Sequence, residues 1–174
     1  MTMKHGLRKL ALTAHVTSTV GWLGAVAGFL ALAIAGLTSQ DFQTVRATYL
    51  AMELTGWYVL VPLCLASLVT GLVMSLGTPW GLFRHYWVLI KFLITVASAL
   101  ILFMYTRTLS HLGDLARDTR LSINDLRNPS PVVHAGLALL ALLVTTTLSV
   151  YKPPGMTRYG QRKQREQRTR APQP

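Results

Sequence analysis

The chain is 174 residues long, 51% hydrophobic and only 13% charged, yet it carries a formal net charge of +11. Its mean hydropathy of +0.40 is too high for an ordinary soluble domain, and the apolar residues fall in blocks, the pattern of an integral membrane protein. A lone cysteine, Cys64, excludes an intramolecular disulfide and any CxxC zinc site.

The first block runs from about Leu10 to Leu37, and no Asp, Glu, Lys or Arg occurs from Leu10 through Gln40. It exceeds the ~20 residues with which a helix crosses the hydrocarbon core. It is also far longer than the apolar region of a cleaved signal peptide and is expected to stay in the mature protein. Helical periodicity puts His15, Thr19, Trp22, Val26 and Phe29 on one face, and Thr17, Gly21, Gly24, Gly28, Ala31 and Ala35 on the opposite one. A histidine facing lipid would leave its ring nitrogens unsatisfied, and the Gly24 and Gly28 spacing lets another backbone come close. Both faces are therefore expected to meet neighbouring helices, with the first helix central.

The second block, Leu54 to about Leu76, is closed by Gly77, Pro79 and Gly81, and Pro62 is expected to kink it. Glu53, Trp57, Cys64, Ser67, Gly71 and Met74 line up along it. Cys64 and Met74 are soft ligands, but the helix between them rises roughly 15 Å, too far for one copper ion. The third block runs from Tyr86 to Thr106, where Arg84, Lys91, Thr95 and Ser98 share a stripe bordered by Trp87. Lys91 is the only formally charged residue well inside a span. Either its ammonium snorkels to the interface or it pairs with an anionic ligand, and the spacing leaves both open. The fourth block, Val132 to Tyr151, is entered through Asn128, Pro129 and Pro131 and left at Pro153, Pro154 and Gly155.

Lipid offers no partner to a backbone amide, so blocks of this length cross as helices. The expected fold is all-α: a transmembrane domain over residues 1–151 with four spans, about 10–37, 54–76, 86–106 and 132–151. A basic tail over 152–174 has too few apolar residues to build a core and is expected to be disordered. Lys4, Arg8, Lys9, Arg84, Lys152 and the tail arginines collect on one side, while the other two loops set Arg46, Arg107, Arg117, Arg120 and Arg127 against Asp41, Glu53, Asp114, Asp118 and Asp125. That asymmetry predicts a multi-pass protein of the cell (plasma) membrane with both termini cytoplasmic. Beside a span, the tail is expected to meet anionic lipid headgroups, and no nucleic acid is expected. A homo-oligomer is left open. In this orientation His15 and His85 share the cytoplasmic half, His111 and His134 the outer half, and His5 precedes the first span.

The order of His15, Trp22 and Gly24 in the first helix, of Trp87 and Lys91 in the third, and of Lys152 and Pro153 closing the fourth resembles small membrane proteins of the CopD/HemJ-like superfamily. The stretches "HVTSTVGWLGA", "GTPWGLFRHYWVLIKFLIT" and "VYKPPG" are more similar still to a family of uncharacterised bacterial four-helix membrane proteins placed in that superfamily. This closer likeness covers nearly the whole chain short of the tail.

The resemblance implies haem b or copper. HemJ-type proteins are protoporphyrinogen oxidases with a first-helix histidine as candidate axial haem ligand and a functionally important third-helix lysine, positions held here by His15 and Lys91. The chain departs from them before the last helix: the HemJ type has Asn-Glu-x-Pro, and here Asn128, Pro129, Ser130 and Pro131 lack the acidic residue. CopD-type copper uptake needs a cluster of soft outer ligands, and Met52 stands alone at the mouth of the second span, so copper ranks below haem b. The expected cofactor site takes His15 as metal ligand, Trp22 as a flat wall, Lys91 and Arg84 as partners of the propionates, and His85 at the same depth. The expected function is a haem b-binding membrane protein taking part in electron transfer. A HemJ-like porphyrin-oxidising enzyme and a cofactor-free accessory bundle are the alternatives.

Overall fold

A computed structural model describes residues 3–77 and 81–170. Four helical segments are long and apolar enough to cross a membrane: His5–Thr38, Phe42–Gly77, Tyr86–Arg117 and Ile123–Tyr151. The first is α1 (His5–Thr38). The second joins α2 (Phe42–Thr55) to α3 (Val61–Gly77) through a π-helical turn at Gly56–Leu60. The third is α4 (Tyr86–Arg117), and the fourth begins with the short α5 (Ile123–Leu126) and continues as α6 (Ser130–Tyr151). The chain is thus an all-α, four-helix bundle of the multi-pass membrane type.

The π-helical turn sits directly before Pro62. Proline lacks an amide hydrogen and its ring crowds the carbonyl four residues back, so the ladder is relieved by one wide turn in which the Val61 amide donates to the Gly56 carbonyl. The irregularity expected at Pro62 takes this form. Pro79, one of the residues expected to close the second span, lies outside the described residues.

The segments around Arg46 and from Arg107 to Arg117, expected as loops, are helical. Their charged residues serve as caps. Asp41 accepts from the backbone amides of Gln43 and Thr44 at 3.4 and 2.9 Å and so starts α2. Arg46 donates from Nε to the Ala116 carbonyl at 2.6 Å and from Nη2 to the Arg117 carbonyl at 3.1 Å, covering the last turn of α4. Arg127 donates to the Ser39 carbonyl at 2.9 Å, just past the end of α1. Sequence hydropathy sees these charges as breaks, whereas the helices run on beneath them.

Around the bundle α1 packs on α3 and α6, and α4 packs on the same two helices, so α1 and α4 face each other across a diagonal without direct backbone contact. α1 also packs on α2, consistent with a central first helix. Trp22, Val26, Phe29 and Ala33 of α1 join Tyr49, Met52, Leu60, Cys64, Leu109, Leu112 and Leu142 in one buried core. One expectation for α1 is corrected. Gly21 meets Leu63 of α3, but Gly24 and Gly28 meet nothing within 4 Å of where a side chain would begin, so their spacing brings no neighbour close within the bundle. The contacts of α1 come from its apolar stripe, which follows Trp22 and Phe29.

The tail also differs from expectation. Its start lies antiparallel to the turn before α4: His85 and Met156 form a β-bridge, and Thr157 donates its amide to the Arg84 carbonyl at 3.1 Å. The Thr157 hydroxyl then accepts from the Gly160 amide at 3.1 Å, capping α7 (Arg158–Arg170). These hydrogen bonds supply the order that composition alone does not.

Candidate functional site

A cavity of about 510 Å³ lies between α1, α3, α4 and α6, in the half of the bundle near the chain termini. Its size falls within the range of roughly 300–1,000 Å³ usual for small-ligand and cofactor sites. Most of its wall is apolar, from Leu23, Leu68, Phe92 and Leu142 among others. Its polar residues are His15, Lys91, Lys152 and the hydroxyl residues Thr19, Ser67, Ser75, Thr95, Thr145, Thr146 and Ser149. No carboxylate lines it among the described residues, so its formal charge comes from the two lysines.

His15 is held from the α3 side. Its ring occupies the space where Gly71 has no side chain: a Cβ there would stand 3.0 Å from His15 Cε1. The next residue back, Thr70, donates its single hydroxyl hydrogen to the Ala66 carbonyl at 2.6 Å. His15 Nδ1 lies 3.1 Å from that hydroxyl, and the ring also meets the Ser67 backbone. Further up the same face, Thr19 bonds Ser67 at 3.1 Å and donates back to the His15 carbonyl at 2.7 Å, tying α1 to α3. The imidazole is thereby oriented, which is what outer partners of a metal-binding histidine do.

Lys91 does not run to the interface. Its ammonium donates to Ser149 Oγ at 2.7 Å, and Ser149 donates onward to the Thr145 carbonyl at 2.8 Å. The charge is thus retained on the cavity wall between α4 and α6. Trp22 is buried, and Trp87 and Trp22 both present indole surface to the cavity. At the terminal end Lys152 adopts left-handed backbone, φ 44° and ψ 61°, to cap α6, and its side chain also reaches the wall.

The structure therefore brings His15, Trp22 and Lys91 to one cavity and leaves Arg84 and His85 out of its lining. Arg84 and His85 belong to the turn that carries the tail, where the Arg84 carbonyl accepts from Thr157. The β-type pairing with Met156 engages this turn, and neither Arg84 nor His85 lines the cavity, although Leu82, Trp87 and Val88 on either side do. Lys152 takes the place expected for Arg84. The sequence singled out Ser67, Gly71 and Met74 as a stripe, and all three line the cavity. Thr70 and Ser149 carried no mark of their own. Their signal is a hydroxyl one turn or less from a charged or imidazole partner on a facing helix, which sequence spacing within one helix does not reveal.

The remaining histidines are elsewhere. His134 stacks on Tyr105 with ring centroids 4.0 Å apart, and its Nδ1 lies 2.9 Å from the Ser130 carbonyl. His111 is exposed on α4, and His5 starts α1. Of the histidines expected at the same depth, His85 lies outside the cavity that His15 lines, and His134 is engaged by Tyr105 and Ser130. Cys64 is buried in the core, apart from Met74 on the cavity wall, and the described residues hold no cluster of three His, Cys, Asp or Glu able to bind a metal. No family model, curated protein or solved structure matches the chain. The cavity's own chemistry carries the functional reading.

Proposed function

We propose that this membrane protein binds haem b in the cavity and takes part in electron transfer, as a member of the CopD/HemJ-like superfamily. One observation carries the reading: a histidine whose Nδ1 is tied to Thr70, on the wall of an apolar cavity of cofactor size that also holds two lysines. The donor set fits the group. His15 Nε2 is a neutral imidazole ligand, the indoles of Trp22 and Trp87 are flat apolar walls, and Lys91 and Lys152 match two carboxylates at one end. When bound, haem b supplies one-electron chemistry at its iron. The chain's part is to orient the imidazole, hold the anionic edge and keep water away through the apolar wall. The one-sided lysines and arginines support a plasma-membrane location with both termini in the cytoplasm, and the basic α7 is suited to anionic headgroups next to that face.

The test is an absorption spectrum of protein produced with ample haem. A Soret band with reduced-minus-oxidised b-type peaks is expected, lost in His15→Ala and kept in His5→Ala. A colourless wild-type protein rejects the haem reading and leaves a cofactor-free bundle. If the chain restores growth to a strain lacking protoporphyrinogen oxidase, porphyrin oxidation replaces electron transfer as the function.

A further inference from the structure

The cavity is not equally closed on all sides. Every lining residue from α3 and α4 is buried or half-buried. The exposed ones stand on the other two helices: Leu12, Val16 and Val20 on α1, at 47%, 50% and 61%, and Thr146 and Val150 on α6, with Val150 at 71%, followed by Lys152 at the α6 cap. They flank the α1–α6 seam on the outside of the bundle and contact the cavity on the inside. Their heights lie within the spans, where the surrounding medium is hydrocarbon. A passage to water needs a polar rim; within the helices this one is aliphatic except for Thr146, and Lys152 stands only at its terminal end.

We propose that the cavity opens sideways into the bilayer through a cleft between α1 and α6, and that its ligand is a membrane-dissolved amphiphilic carboxylate which enters body first from the lipid. The aliphatic rim passes the apolar body. Lys152, at the terminal end of the same seam, meets the anionic end at interface depth, and Lys91 lies further along the wall. The absence of any acidic residue from the described lining means that no charge opposes this anion. Naming haem b as that carboxylate rests on the reading above; the sideways opening does not.

Two experiments separate these claims. In the first, a nitroxide is attached at Thr95→Cys on α4, across the cavity from α1, in a Cys64→Ala background, and the protein is placed in lipid nanodiscs. Collision with oxygen, which concentrates in the bilayer, should exceed that at a control label on the buried Leu109→Cys, while collision with a water-soluble nickel chelate should stay at the control level. Labelling Val88→Cys repeats the measurement at a second lining position in case the first variant misfolds. Collision with nickel at either position, or oxygen access no greater than in the core, overturns the cleft. In the second, haemin dissolved in vesicles is offered to protein free of haem. Val16→Phe with Val150→Phe should slow the rise of the Soret band on the order of tenfold, equivalent to about 1.4 kcal/mol on the barrier, with the final amplitude unchanged. An unchanged rate overturns the lateral route. A wild-type protein that never acquires the band rejects haem b as the ligand, and the nitroxide measurement then decides the cleft by itself.

Discussion

Each end of the bundle holds a histidine inside a span, and their surroundings differ. At the far end His134 is stacked on Tyr105, bonded through Nδ1 to the Ser130 carbonyl, and surrounded by a network in which Tyr105 bonds Ser130 at 3.1 Å and Tyr49 accepts from the Asn128 amide at 3.0 Å. Arginines close that end by capping helix termini, and Arg117 pairs with Glu53 at 2.6 Å. At the terminal end His15 has one nitrogen tied to Thr70, and the space beside it is a cavity rather than packed side chains. The buried residues Val45, Tyr49, Met52, Leu109, Leu112, Ala116 and Leu126 all belong to the far half. One half is built for stability and spends its polar groups on its own backbone. The other sets an imidazole and two lysines around a cavity.

The largest expected contrast between the ends is spectral. His15→Leu should abolish the b-type spectrum. His134→Leu should leave it intact and lower thermal stability in detergent by about 1–3 kcal/mol, through the lost stack and the polar groups it strands. Equal spectral loss in both variants would remove the distinction between them.

A smaller effect is expected from the group that orients His15. Thr70→Val keeps the shape but removes the hydroxyl beside His15 Nδ1, and haem affinity should fall about 10–100-fold, the usual result of losing an outer partner of a metal ligand. Ser130→Ala, the matching change beside His134, should leave haem affinity as in the wild type. Titration of haemin followed at the Soret band checks both.

Packing supplies a third test. A Cβ at Gly113 would collide with the Glu53 carboxylate that reaches Arg117, so Gly113→Val should cost about 1–3 kcal/mol by overpacking while the spectrum stays unchanged. Gly71→Ala, where the nearest atom is His15 Cε1, should instead shift the spectrum. The two glycines carry opposite readouts because one supports an ion pair and the other a ligand.

The smallest effect concerns pH and only the far end. The hydroxyl of Thr44, then its amide and that of Gln43, hold the Asp41 carboxyl below its ordinary value of 3.8. Stability from this cap is therefore fully present above 3.8 and is lost as pH falls through the lowered folded value. The difference in melting temperature between wild type and Asp41→Ala should be flat from neutral pH to about 5 and shrink below the ordinary carboxylate range. A difference that grows on acidification would reverse the assignment.

The sequence by itself determined the class, the number of spans and the face of α1 that turns inward, because lipid leaves backbone amides no partner outside the helix and the position of each apolar run is visible residue by residue. It also marked His15, Trp22 and Lys91 as unusual, since a polar group within a span must be satisfied. Tertiary structure alone decided what satisfies them. Thr70 lies 55 positions from His15 and Ser149 lies 58 from Lys91, so neither partnership has a signature in local spacing. The same holds for Arg84, whose place in the lining went to Lys152 once the tail paired with the turn before α4. Gly24 and Gly28 make the converse point: their spacing permits close approach, but whether another helix comes depends on how four long helices share their faces, and here nothing comes within 4 Å of a Cβ at either position.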